Sequence, residues 1–337
     1  MLKRQSERVK LRVAAVQVPS DNGQSEKNLA RAEARVAEAA ALGGKLVLCP
    51  EFLAAGYVYE ESIWDSAEPR GGLTETWLSD LAARHRIHVG ASYLEVDGED
   101  FFNTFALAAP DGSIAGRVRK ESLPVFEGWF FRSCQQPKLI ETELGRIAVG
   151  ICMDNHTRRF FERMQTYDAD LLLMPHSAPC GPFGAGLMRQ ALTSVAPFYA
   201  RAFGVPTVLA NKAETRARTA LPGMFGASTR FDFPDLSALC DSDGSNVARL
   251  DDRAGVIVGD VTLDRARKRV PETPRHFFFA DPQKSAPHLV GAAFMTMEVL
   301  GKRAYTRNAR RVQAAHRTRS VDMCERASAP TRSSTFT

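Results

Sequence analysis

The sequence predicts an α/β protein of four layers, in which two mixed β-sheets pack face to face with helices outside. Three observations carry this. Short β-branched apolar runs alternate with segments of helical period along most of the 337 residues. Strand–helix–strand units occur in both halves of that pattern. Antiparallel hairpins interrupt it, which does not suit a simple parallel doubly wound sheet. With 44% hydrophobic and 25% charged residues, the chain can bury a sizeable core without disulfides or metals.

The first strand runs from Arg12 to Val18 and is closed by Pro19. Ser25 to Leu42 is a helix, with Leu29, Ala32, Val36, Ala39 and Ala40 at helical spacing and Gly43-Gly44 as its stop. Lys45 to Cys49 is a short buried strand closed by Pro50. Leu73 to His85 is the second helix, and Ile87 to Tyr93 the third strand. Phe101 to Ala109 and Ser113 to Val118 flank the turn sequence Pro110-Asp111-Gly112, which joins them as a hairpin. Leu139 to Thr142 and Arg146 to Ile151 pair in the same way around Leu144-Gly145.

A helix near Arg158 to Tyr167, a strand at Asp170 to Met174, a helix near Leu187 to Phe203 and a strand at Pro206 to Asn211 follow. Residues Gly226 to Val261 add several short strands. No linker-like break precedes Pro271, so residues 10–270 read as one domain. Pro271-Glu272-Thr273-Pro274 opens a C-terminal extension over 271–316, a candidate dimer contact, in which Leu289 to Leu300 is a short amphipathic helix. Residues 317–337 are rich in Arg, Ser and Thr and are expected to be disordered. The chain shows no internal repeat.

The net charge of +5 is a property of the tail. From Lys302 onward nine Lys and Arg stand against Asp322 and Glu325, which leaves the rest of the chain at −2. The body therefore carries no evident field for nucleic acid. No apolar run approaches the roughly 20 residues that a membrane span needs. The basic N-terminus is followed by too short an apolar run for a signal-peptide core, so the chain reads as cytoplasmic. Its six cysteines are scattered, with no C-x-x-C pair and no zinc-type spacing; free thiols are expected, with no metal and no cofactor.

Three stretches place a reactive residue just after a strand, where ligands of α/β sheets gather. Glu51 follows Leu48-Cys49-Pro50, Lys120 ends Gly116 to Arg119, and Cys152 follows Val149-Gly150-Ile151. Together these types form a coherent chemical set. A thiol with a pKa of about 8.5 needs a base or a positive neighbour to attack at neutral pH. A semi-buried glutamate can take that proton and return it to a leaving amine, and burial would raise its pKa toward neutrality. A lysine ammonium can stabilise the thiolate and an oxyanion, with the Met153 N–H as a second donor. Each residue alone reads more simply as a cap, a sheet-edge lysine or a core thiol. Their joint occurrence carries the assignment.

These stretches resemble the Glu–Lys–Cys segments of the nitrilase superfamily, the carbon–nitrogen hydrolases. Similar segments are Val16-Gln17, Pro50-Glu51 with Gly56-Tyr57, Arg119-Lys120 with Leu123-Pro124, and Gly150 to Asp154. So are Tyr199 to Ala202, Gly204-Val205-Pro206, Ala210-Asn211, and Pro222-Gly223 with Phe225 to Ser228. The resemblance implies an αββα sandwich, a homodimer or higher homo-oligomer, Glu51 as general base, Lys120 as oxyanion stabiliser and Cys152 as nucleophile. It also implies that Glu127 orients Lys120 or the substrate.

Ser122 stands where the family often has histidine, and Met153-Asp154 is closer to the amidase and carbamoylase branches than to true nitrilases. Asn155-His156 occupy the place of a carbamoylase arginine pair, with Arg158-Arg159 two residues later, so a carboxylate clamp of that kind is unsupported. Phe52, Tyr57, Asn155, His156, His176 and Ser177 are the candidate substrate-binding residues. The expected activity is hydrolysis of a small linear amide or N-carbamoyl substrate through a thioester, releasing ammonia. An acyltransferase using the same thioester and a catalytically silent scaffold are the alternatives. The partner is a small molecule, with neither nucleic acid nor membrane involved.

Overall fold

A computed structural model describes residues 8–124, 126–178, 185–213, 217–222, 228–231, 233, 236–251, 253–274 and 288–328. Strands β1 (Val9–Gln17), β2 (Leu46–Leu48), β3 (His88–Asp97), β4 (Asp100–Ala108) and β5 (Ile114–Arg119) come first, with helices α1 (Ser25–Ala41) and α2 (Leu73–His85) between them. The second half holds β6 (Leu139–Thr142), β7 (Gly145–Val149), α3 (Arg158–Tyr167), β8 (Leu171–Pro175), α4 (Ala185–Phe203) and β9 (Thr207–Ala210). Then come β10 (Ala217–Ala220), β11 (Ser228–Phe231), β12 (Leu236–Cys240), β13 (Asn246–Asp251) and β14 (Gly255–Leu263). Helices α5 (His288–Arg307) and α6 (Ala309–Ser328) end the described chain.

One six-stranded sheet has the order β14-β1-β2-β3-β4-β5 and the other β13-β12-β9-β8-β7-β6; β10 and β11 form a separate pair. Each large sheet has three parallel strands at its centre, β1-β2-β3 or β7-β8-β9, with antiparallel strands on either side. The side-chain period of two divides every central strand between two cores. Val13 and Ala15 of β1, with Leu171 and Leu173 of β8, face the space between the sheets. Ala14 and Val16 pack outward against Leu29, Ala32 and Val36 of α1. Leu172 and Met174 pack outward against Phe161 of α3 and Tyr199 of α4. Those alternations give the αββα sandwich its four layers.

The last strand of the sandwich, β14, lies antiparallel to the first, with Val9 opposite Leu263. The C-terminal extension packs on the body. Tyr305 of α5 donates its hydroxyl to Asp100 and accepts from the Phe101 N–H, and Ala314 and Ala315 of α6 join an aromatic cluster with Trp64 and Phe101.

Two expectations change here. The short helix at Leu289 to Leu300 is longer, and α6 runs to Ser328 through residues expected to be disordered. Its first part is Ala- and Arg-rich, good helix formers, and docks a small apolar face. Residues 329–337, and the Gly223 and Phe225 to Ala227 part of the resemblance, lie outside the described residues. Among the described residues no helix is long and apolar enough to cross a membrane.

Candidate active site

The carboxyl end of β2 is tied to the opposite sheet. Pro50 ends the ladder, and the Glu51 N–H donates to the His176 carbonyl, 3.2 Å away, at the end of β8. Ser177 completes the stitch: its N–H donates to Glu51 Oε2 at 2.9 Å and its hydroxyl to the Glu51 carbonyl at 2.6 Å. Glu51 Oε1 accepts from Asn103 Nδ2 at 2.6 Å and from Lys120 Nζ at 2.8 Å. Asn103 of β4 is held in turn by the Ser92 hydroxyl of β3, which also accepts the Phe52 N–H.

Lys120 follows β5, whose last residue, Arg119, is fixed by two hydrogen bonds to Glu95. The Lys120 ammonium lies 2.9 Å from both oxygens of Glu127 as well as 2.8 Å from Glu51. Glu51, Lys120 and Glu127 are all buried. Tyr57 donates to Glu127 at 2.8 Å, and its hydroxyl lies 2.7 Å from that of Tyr59.

Cys152 sits beyond β7 at the start of a 3₁₀ turn, Cys152–His156, with φ of 47°, a left-handed conformation that a non-glycine residue rarely adopts. The turn is locked from several sides. Asp154 accepts the Ile151 N–H at 3.3 Å and, from the segment after Lys120, the N–H groups of Glu121 and Ser122 at 3.2 and 2.8 Å. Asn155 Nδ2 donates to the Gly150 carbonyl at 2.6 Å. Gly150 is required there, because a Cβ would lie 2.0 Å from Asn155 Oδ1. Met153 is the second residue of the turn, where the helical ladder supplies its N–H with no acceptor.

The thiol of Cys152 lies in the field of Glu51, Lys120 and Glu127 and faces the Ser177 N–H. Burial, then the Glu51 charge, pushes its pKa well above the usual thiol range, with Lys120 opposing. The resting group is therefore a thiol, and attack requires a base in contact with the site. Burial also works against the Lys120 ammonium, but the charges of Glu127 and Glu51 hold its pKa well above the ordinary lysine value. Burial lifts the Glu127 carboxyl to about 7, against the pull of Lys120 and with the help of the Glu51 charge.

Phe52 is buried with φ of 48°, and its ring meets Phe131 and Tyr57 at 5.1 and 5.9 Å. Asn155, singled out as a substrate contact, clasps the nucleophile turn and lies 3.1 Å from His176 Nε2. His156 and His176 meet edge to face at 5.7 Å. Burial drops the His156 pKa to about 4, and burial together with His156 and Lys120 drops that of His176 well below the usual value. Both rings are neutral near pH 7. Arg158 bonds Glu162 and Arg159 bonds Glu121.

Sequence reasoning passed over Ser92, Asn103, Asp154 as a brace, and Lys212, whose ammonium is buried near Glu51. Nothing local in the sequence marks the first two. Asp154 adjoins the nucleophile segment, and Lys212 directly follows Ala210-Asn211. Among the described residues no cluster of His, Cys, Asp and Glu could hold a metal ion.

A family model described as carbon-nitrogen hydrolase matches residues 12–269. The chain is 27% identical to the citrullinase of Francisella tularensis subsp. tularensis over 268 residues, covering 76% of this chain and 90% of that protein. It is 26% identical to the N-carbamoylputrescine amidase of Arabidopsis thaliana over 254 residues, covering 72% and 83%. A solved carbon-nitrogen hydrolase from Helicobacter pylori G27 superposes with a TM-score of 0.67 at 19% identity, covering 76% of this chain and 90% of that one, and so shares the fold.

Proposed function

The chain belongs to the carbon-nitrogen hydrolase family, in the amidase- and carbamoylase-like part of the nitrilase superfamily, and from that premise we propose that it hydrolyses a small linear amide or N-carbamoyl substrate through a thioester on Cys152. One observation carries this reading: the buried contact of Glu51, Lys120 and Glu127 beside a thiol on a strained turn. Similarity to a citrullinase and to an N-carbamoylputrescine amidase supports a substrate of this class.

In the reaction, Cys152 Sγ attacks the substrate carbonyl carbon as Glu51 takes the thiol proton. The oxygen gains charge and is met by Lys120 Nζ and the Met153 N–H, fixed donors in a buried site. Collapse of the tetrahedral intermediate breaks the C–N bond, Glu51 hands its proton to the leaving nitrogen, and ammonia departs. Water then attacks the thioester as Glu51 takes its proton, the C–S bond breaks to release the acid, and Glu51 returns the proton to the Cys152 sulfur. Glu127 keeps Lys120 charged and aimed throughout, while Asp154 holds the nucleophile turn against the Lys120 segment.

The reading includes a homodimer in the cytoplasm. Val299 and Leu300, each 50% exposed on α5, support pairing, and the free cysteines at 49, 134, 152 and 240 suit a reducing compartment. The test is ammonia release from a panel of linear amides and N-carbamoyl compounds, on protein sized by sedimentation. Activity is expected from a species of about twice the 37.0 kDa chain mass. Cys152→Ala should lower it at least about a thousandfold at unchanged thermal stability. Full activity in that variant removes the proposal, and an active monomer removes the dimer.

A further inference from the structure

Lys120, Lys138 and Lys212 are the buried lysines among the described residues. Two of them are well matched. Lys120 is held by Glu51 and Glu127, and Lys138 by the carbonyls of Arg119 and Cys134, with Asp154 at 3.9 Å. Lys212, 0% exposed, is not. Among the described residues its Nζ makes one long hydrogen bond, 3.4 Å to the Phe52 carbonyl, and stands 5.7 Å over the Phe233 ring. No carboxylate among the described residues forms an ion pair with it. Burial pulls its pKa down to about 7, with only the field of Glu51 opposing. An ammonium so placed is costly to keep charged and gains by receiving an anion.

The topology sets this group beside the chemistry. Strands β7, β8 and β9 are parallel neighbours, so their carboxyl ends share one edge. Cys152 follows the first, His176 and Ser177 the second, and Asn211 and Lys212 the third. Phe233, which Lys212 faces, meets Tyr57 edge-on at 6.1 Å, and Tyr57 in turn donates to Glu127. Aromatic contacts thus connect the cation to the reacting groups.

We propose that Lys212 is a specificity-determining residue that receives a carboxylate at the end of the substrate remote from the scissile C–N bond. This rests on the hydrolase reading above. The carboxylate supplies the acceptors that the protein withholds, in charge-assisted hydrogen bonds. A substrate ending in an ammonium meets like charge and is rejected. Selection is therefore made just after β9, while Arg158 and Arg159 are engaged by Glu162 and Glu121.

The experiment compares kcat/KM for wild type, Lys212→Met and Lys212→Arg on linear amides of matched length ending in a carboxylate, a methyl or an ammonium. Wild type should prefer the carboxylate. Lys212→Met should reduce its preference over the methyl about tenfold to a hundredfold, chiefly through KM, and Lys212→Arg should retain part of it. The melting temperature of Lys212→Met should not fall, because an unmatched buried charge has been removed. Equal losses on the carboxylate and methyl substrates, or a wild-type preference for the ammonium, overturn the assignment. Turnover by wild type without any carboxylate preference overturns it alone. No turnover of any amide, with Cys152 inert to alkylation, overturns it together with the hydrolase reading.

Discussion

Glu127 shares the Lys120 ammonium with Glu51, and its pKa of about 7 makes its charge depend on pH in the working range. That value lies above the unfolded one, so the folded protein holds the proton more tightly between about 4.5 and about 7. The associated stability is complete below the lower value and is lost as pH rises through the upper one. Glu127→Gln removes the titration. Its melting temperature relative to wild type should rise from about pH 5 to about pH 8, while kcat falls about tenfold to a hundredfold as Lys120 loses an anchor. A constant difference in melting temperature, or unchanged kcat, contradicts this role. Glu51, Lys120 and Cys152 stand out in the sequence because each directly follows a strand pattern. Asn103 and Ser92 do not, since a polar residue inside a strand reads as a solvent-facing position until the partner 52 residues away is known. Lys212 was illegible for a related reason: burial of a lysine is decided by the whole fold.

Among the elements, α2, α3 and β6 have the bounds that their patterns predict: Gly71-Gly72 precede α2, the Thr157 side chain caps α3, and Pro137 stands just before β6. The pattern fails where an element is held from outside. Helix α6 has a weak apolar stripe, yet Ala314 and Ala315 pack into the aromatic cluster while Arg311 bonds Asp100 at 2.9 Å. Asn308, just before it, bonds Glu61 at 2.8 Å. Small residues carry that docking, and composition alone reads them as a solvated tail. Ala315→Asp places an unmatched carboxylate against the cluster that contains Phe52, Tyr57 and Phe126. It should cost roughly 2–4 kcal/mol, seen as a melting temperature lower by several degrees. An unchanged melting temperature would mean that the helix is not docked in solution.

Across the whole molecule, the two sheets repeat one plan, three parallel strands flanked by antiparallel ones, and their facing carboxyl edges bring the site together. Glu51 comes from one sheet and Cys152 from the other, joined by the Ser177 stitch and by Asp154, which spans from the nucleophile turn to the segment after Lys120. The pairing of sheets was legible as alternation and hairpins. Which strand ends would touch was not, because it depends on register and layer order. The central claim is that Cys152 carries the acyl group. Acid quenching during turnover of a slowly hydrolysed amide, followed by peptide mass spectrometry, tests it most directly. The expected result is the mass of the acyl group on the peptide containing Cys152, absent from Cys152→Ala and strongly reduced in Glu51→Gln, where the thiol keeps its proton. An acyl group on another residue, or ammonia release with no adduct in any variant, would contradict the account.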